Sequence, residues 1–110
     1  MSIQNDKLDK LFSSLSDPTR RAILQRTKHG AVTVLELASD FKMSIPAVSK
    51  HINVLVRTGL LKKTRTGRFT YCSFDPSKML PAINWLNNQY EVWNSSFKKL
   101  SEYLEEQKET

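Results

Sequence analysis

The stretch Thr33–Leu60, TVLELASDFKMSIPAVSKHINVLVRTGL, constrains the fold most, because two helix starts and two helix stops fall within one short segment. Thr33 followed three residues later by Glu36 is a capping-box pattern: the hydroxyl satisfies one orphan amide and the carboxylate reaches back to another. A helix is therefore expected from Thr33 to near Phe41. Val34, Leu37, Ala38 and Phe41 recur at helical spacing and are expected inward, with Glu36, Ser39 and Asp40 outward. Lys42-Met43 makes a turn. Ser44 is a second N-cap, and Pro46 lies within the first helical turn, where a missing N–H costs little. The second helix then runs to about Thr58 and is ended by Gly59.

Two short helices joined by a tight turn form a helix-turn-helix. On the second helix Val48, Ile52, Leu55 and Val56 make the inward stripe. Ile45, Ala47, Ser49, Lys50, His51 and Asn53 are left outward, and the residues near its start are short. Such a surface lets a helix backbone lie deep in a DNA major groove, about 12 Å wide, with its N-terminal residues reading base edges. An ordinary helical hairpin with a solvated face has the same local pattern, so the rest of the chain must distinguish the two.

Charge is the first discriminator. The formal net charge is +6, and residues 20–75 hold 11 Lys/Arg against 3 Asp/Glu, while the flanks on either side each come to −1. A basic centre between near-neutral ends fits a polyanion-facing surface on a scaffold whose ends do something else.

The hairpin that should follow is the second discriminator. Leu61–Phe74, LKKTRTGRFTYCSF, has two β-capable runs flanking Thr66-Gly67, with Lys62, Lys63, Arg65 and Arg68 crowded at the turn. A basic hairpin directly after a recognition helix is the wing of a winged helix, able to neutralise phosphates of the adjacent backbone. The competing reading is an edge hairpin charged against aggregation.

The ends supply the helices. Leu8, Leu11, Phe12 and Leu15 make an amphipathic helix over about 6–15. Asp17-Pro18 then starts another that runs to about Lys28, with Ala22, Ile23 and Thr27 inward, Arg20, Arg21, Arg26 and Lys28 partly exposed, and Gly30 at its end. These exposed cations could reach flanking phosphates, although a charge run is usually a solvated face. After Asp75-Pro76-Ser77, a last helix over about 77–106 places Met79, Ile83, Leu86, Tyr90, Trp93, Phe97, Leu100 and Leu104 in an a/d heptad stripe. Trp85, Val92 and Tyr103 lie off that seam. So long an apolar face calls for a partner helix, most simply the same helix of a second subunit with Leu8, Leu11 and Phe12 alongside. The 110 residues are read as a single domain over 1–110, mostly α with a small β-hairpin.

Other functions find little support. One cysteine, Cys72, excludes an intrachain disulfide, and with two separated histidines it makes no local zinc site. No clustered nucleophile and base points to an enzyme. No signal-peptide core or long apolar run is present, so a cytoplasmic protein without a membrane partner is expected. Cys72 in the hairpin reads as packing, with a redox role the alternative.

The segments LSDPTRRAIL (Leu15–Leu24), ELASDFKMSIPAVSKHINVLVRTGLL (Glu36–Leu61) and GRFTYCSFDP (Gly67–Pro76), in that order, resemble the ArsR-type winged-helix repressors over nearly the whole chain. The resemblance implies a homodimer joined by its first and last helices, with two recognition helices entering successive major grooves of an inverted repeat of double-stranded DNA. It implies base reading by Ile45, Pro46, Ala47, Ser49, Lys50 and His51, and a wing-tip role for Arg65 and Arg68. His51 is alternatively a half-buried residue bonded to a backbone carbonyl. Metal-sensing members carry paired cysteines where this chain has Thr33 and Leu35, and others use ligands on a last helix that here has no His or Cys. A hydroxyl and an aliphatic chain do not replace two thiolates, so no metal or other cofactor is expected. The alternative function is a protein-interaction module that captures another protein on the aromatic last helix.

Overall fold

The computed structural model describes residues 3–109. The elements run α1 (Ile3–Leu15), α2 (Pro18–Thr27), β1 (Val32–Thr33), α3 (Val34–Asp40), α4 (Ile45–Arg57), β2 (Leu61–Thr66), β3 (Phe69–Phe74), a 3₁₀ turn (Pro76–Met79) and α5 (Leu80–Glu109). The chain divides into two compact units, one ending at Leu80 and one beginning at Pro81. The first holds the winged helix-turn-helix. The second is the body of α5 alone.

Local chemistry sets the element boundaries. Asp17 caps α2 by accepting the Arg20 amide at 2.9 Å, with Pro18 opening the helix. Thr33 caps α3 by accepting the Glu36 amide at 3.1 Å. Among the described residues only this hydroxyl half of the expected capping box forms, and Thr33 is also paired with Tyr71 in the sheet. Between α3 and α4, Met43 N–H donates to Ala38 O at 3.0 Å and Lys42 N–H to Ser39 O at 3.2 Å. This is a Schellman closure, and it holds Lys42 at φ +53, a left-handed conformation that glycine adopts more cheaply.

Val48, Ile52 and Leu55 of α4 are fully buried together with Ile23 of α2, Leu37 of α3 and Leu60. Truncating any one of these leucines or isoleucines to Ala costs about 2–5 kcal/mol. Leu24, not anticipated as inward, is also buried, whereas Ala22 is only half-buried.

The hairpin is part of a three-stranded antiparallel sheet in the order β1-β3-β2. Val32 pairs with Cys72 and Thr33 with Tyr71, while β2 and β3 pair from Leu61↔Phe74 to Thr66↔Phe69. The turn is therefore Gly67-Arg68, one residue later than expected. Gly67 has φ +63, and a left-handed first central residue alone is the mark of a type II′ turn, which suits the twist of the strands.

Two expectations about the ends need correcting. Leu11 is 4% exposed, so it belongs to the protomer's own interior and is not an interface residue; Leu8 and Phe12 are half-buried. Met79 lies in the 3₁₀ turn, because Asp75 caps that turn through Ser77 and α5 begins only at Leu80, so the exposed seam starts at Ile83. Ile83, Leu86, Tyr90, Trp93, Phe97, Leu100 and Leu104 of that seam are 42–68% exposed, and the Trp93 and Phe97 rings stack at 6.4 Å. Val92 and Tyr103, off the seam, are exposed as well. Among the described residues no helix is long and apolar enough to cross a membrane.

Candidate nucleic-acid interface

Helix α4 starts at Ser44, whose hydroxyl accepts the Ala47 amide at 3.2 Å. With Val48, Ile52 and Leu55 inward, a step of 100° per residue places Pro46, Lys50 and Arg57 on the line diametrically outward. Ile45, Ser49 and Asn53 lie on the flank toward the wing. Lys63 of β2 crosses to that flank and donates from Nζ to Asn53 Oδ1 at 2.6 Å, tying the wing to the helix.

Between helix and wing lies an open groove of about 340 Å³, lined by Thr33, Val34, Leu35, Ile45, Ser49, Lys63, Arg68, Phe69 and Thr70. Its lining includes two cations and no carboxylate. Among the described residues Lys50, Arg57, Arg65 and Arg68 have no ion-pair partner. Lys50 and Arg57 on the helix and Arg68 at the hairpin turn thus remain available to a polyanion.

The cations of α2 are differently employed. Arg20 donates from Nε to Ser14 O at 2.8 Å and from its terminal nitrogen to Ser13 O at 2.9 Å, and Arg21 donates to Leu15 O at 2.7 Å. These are the orphan carbonyls at the end of α1, a helix with no basic residue in its own last turn. Arg26 is paired with Asp40 at 2.8 Å. The structure gives these arginines another use than the flanking phosphates they could have reached: they close and brace helices.

His51 is half-buried and directed to α2, its Nδ1 3.7 Å from Asp17 Oδ2. The Arg20 amide, and then the His51 and Arg20 charges, hold the Asp17 carboxyl below the usual carboxylate range despite some desolvation. Ser49 and Ala47 are half-buried, while Ile45, Pro46 and Lys50 are exposed. Of the sequence-derived positions, Ile45, Ser49 and Arg68 meet at one groove, Pro46 and Lys50 project beside it, Arg65 stands on the exposed edge strand, and His51 turns away.

Four residues escaped the sequence reading of the site. Arg57 stands seven positions after Lys50, on the same helix line, and a helical wheel would have found it. Asn53 was read as outward, but its role as the wing's anchor needs the strand beside it. Leu35 and Phe69 are 53% and 46% exposed on the groove; Phe69 had been read only as strand character and Leu35 only as the residue standing in place of a metal-ligand cysteine.

The two positions at which the resemblance would place metal-binding thiols hold other chemistry. Thr33 directs its hydroxyl to the Glu36 amide, and Leu35 is exposed and aliphatic. Among the described residues no three His, Cys, Asp or Glu side chains cluster as a metal site. Cys72 is fully buried, and its burial raises the thiol pKa against the opposing pull of Lys63, which keeps it in the unreactive protonated form.

The helix-turn-helix domain family matches residues 15–64, from the end of α1 into β2. The chain is similar to the transcriptional repressor SdpR of Bacillus subtilis, 36% identical over 81 residues that span 74% of this chain and 90% of that protein. It is similar to the crystal structure of an ArsR-family transcriptional regulator with a TM-score of 0.78 and 37% identity, covering 86% of this chain and 98% of the other. An NMR structure described as a homodimeric winged helix-turn-helix DNA-binding domain, from Mycobacterium bovis, shares the fold at 21% identity, with a TM-score of 0.64 over 76% of this chain and 80% of that one. A helix-turn-helix with an attached wing, matched over nearly the full length of two regulators at more than a third identity, makes this chain a member of the ArsR family of DNA-binding transcription regulators.

Proposed function

We propose that this regulator is a repressor that binds an inverted-repeat operator as a homodimer, without a metal effector. One observation carries the reading: the wing-facing flank of α4, with Ile45 and Ser49, and the wing, with Lys63 and Arg68, line a single groove that is cationic and free of carboxylates. A major groove admits α4 while the wing lies over the neighbouring backbone, so one subunit covers one half-site. Ile45, Pro46, Ala47, Ser49 and Lys50 take the base-reading role, Arg65, Arg68 and Arg57 the phosphates. His51, beside Asp17, positions α4 against α2.

Dimerisation rests on the exposed a/d seam of α5, which no soluble monomer of this size usually leaves to water. Ile83, Leu86, Tyr90, Trp93, Phe97 and Leu100 form that interface, with Leu8 and Phe12 contributing from α1. The repressor named among its relatives and the homodimeric structural neighbour support this reading. A DNA-binding regulator works beside the chromosome, hence in the cytoplasm of a bacterium or archaeon.

Selection of sites from random duplex DNA tests the proposal, followed by titration of the enriched duplex at several salt concentrations. A symmetric site bound by one dimer with a steep salt dependence is expected. No enrichment over random duplex would refute it. Sedimentation of the protein alone would then show whether the α5 seam instead awaits a different protein.

A further inference from the structure

The first turn of α4 has little with which to hydrogen-bond a base. Ser44 Oγ is engaged as the cap, 3.2 Å from the Ala47 amide, Pro46 has no N–H, and Ala47 ends in a methyl group. What the turn does present is Ile45, 48% exposed, on the groove it shares with Leu35 and Phe69. At 48% exposure Ile45 leaves about half of its branched aliphatic side chain outside the protomer's own core, at the leading end of the recognition helix. Three exposed apolar side chains on one groove, rimmed by Lys63 and Arg68, make an apolar surface inside a cationic frame.

The frame identifies the occupant, since a cationic rim without a carboxylate favours a polyanion over an apolar peptide or metabolite. Within the major groove, thymine alone of the four bases carries a methyl group; the recognition features of the other three are hydrogen-bonding atoms. We propose that the first turn of α4 selects thymine by receiving its C5 methyl on Ile45, which makes Ile45 a specificity-determining residue. Ser49 and Lys50, one turn later, supply the hydrogen-bonded part of the readout. This deepens the operator-binding reading above and rests on it.

The test uses the full chain and the duplex enriched by site selection, resynthesised with deoxyuridine in place of each thymine in turn. That change deletes the C5 methyl and leaves the hydrogen-bonding atoms unaltered. In anisotropy titrations, one thymine per half-site should show about a fourfold loss of affinity, the worth of one buried methyl group. Substitution in both half-sites should cost about fifteenfold, two such losses compounded. Ile45→Ala should bind the thymine duplex more weakly and no longer distinguish it from the deoxyuridine duplex. Ile45→Gln, whose amide can pair with adenine N6 and N7, should move the selected base at that position from thymine to adenine. Ile45 is exposed, so both variants should fold, which circular dichroism checks. A duplex bound specifically yet indifferent to every methyl overturns the thymine reading and leaves operator binding standing. So does a methyl effect that persists undiminished in Ile45→Ala. Failure of the wild type to enrich any duplex overturns both.

Discussion

Arg68 and Arg26 are both arginines on the surface of one small basic domain, yet the structure gives them opposite roles in DNA binding. Arg68 occupies the second position of the Gly67-Arg68 turn, lines the groove, and has no carboxylate partner among the described residues. Arg26 is held by Asp40 at 2.8 Å. If Arg68 neutralises one phosphate per subunit, Arg68→Ala lowers the slope of log K against log salt by about 0.9 per subunit, or about 1.8 for a dimer. Between 50 and 200 mM salt, that slope change alters the ratio of wild-type to variant affinity by about twelvefold. The deficit of Arg68→Ala should therefore be large at low salt and should have shrunk about twelvefold at the higher concentration. Arg26→Ala should leave the slope as it is, whatever it does to stability. The assay is a fluorescence-anisotropy titration of the enriched duplex at four or more salt concentrations. An unchanged slope in Arg68→Ala, or an equal change in both variants, would refute the assignment of the wing tip to phosphate.

Four further outcomes follow from the same geometry. Lys42→Gly relieves the left-handed backbone between α3 and α4 and should stabilise the fold by roughly 0.5–1 kcal/mol, a few degrees in Tm; a lower Tm would mean that the Lys42 side chain makes a compensating contact. Cys72 should resist alkylation in the native state and react fully in denaturant, because its thiol is buried and held protonated; rapid native labelling would contradict that. Trp93→Glu places a charge in the middle of the exposed α5 seam and should convert a dimer to monomer in sedimentation without loss of helix content; a dimer that survives it would move the interface elsewhere. Asp17 has a folded pKa below its unfolded one, so its contribution to stability is complete above about pH 4 and is lost as pH falls through the lower folded value. Asp17→Asn should therefore flatten the acid limb of a denaturation profile, and an identical limb in both proteins would show that the carboxylate does not contribute.

Much of this arrangement is written in short-range chemistry. Asp17-Pro18, Thr33, and Ser44 with Pro46 are helix starts whose physics is complete within four residues. The α4 stripe of Val48, Ile52 and Leu55 and the α5 heptads are periodicities that need no partner to be seen. The basic hairpin after α4 follows from composition and position, and with the helix-turn-helix it made the DNA-binding function legible before any coordinates.

What the tertiary structure decided is where side chains from different segments meet. The strand β1 has only two residues, too few for any periodicity, and exists because β3 lies beside it. Whether an arginine is free is likewise invisible in sequence: Arg20 and Arg21 reach back across a turn to the carbonyls of α1, and Arg26 finds Asp40 fourteen residues away, while Arg57 and Arg68 find no such partner among the described residues. Leu11 carries the same heptad-like signal as Leu8 and Phe12, but only packing turns it into the protomer. The groove of Leu35, Ile45, Lys63 and Phe69 draws on four elements, α3, α4, β2 and β3, separated by up to 34 positions in the chain. Local sequence determines which elements form, because caps and periodicity act over a few residues; which faces remain free for DNA is settled by contacts between elements, and those depend on the packed fold.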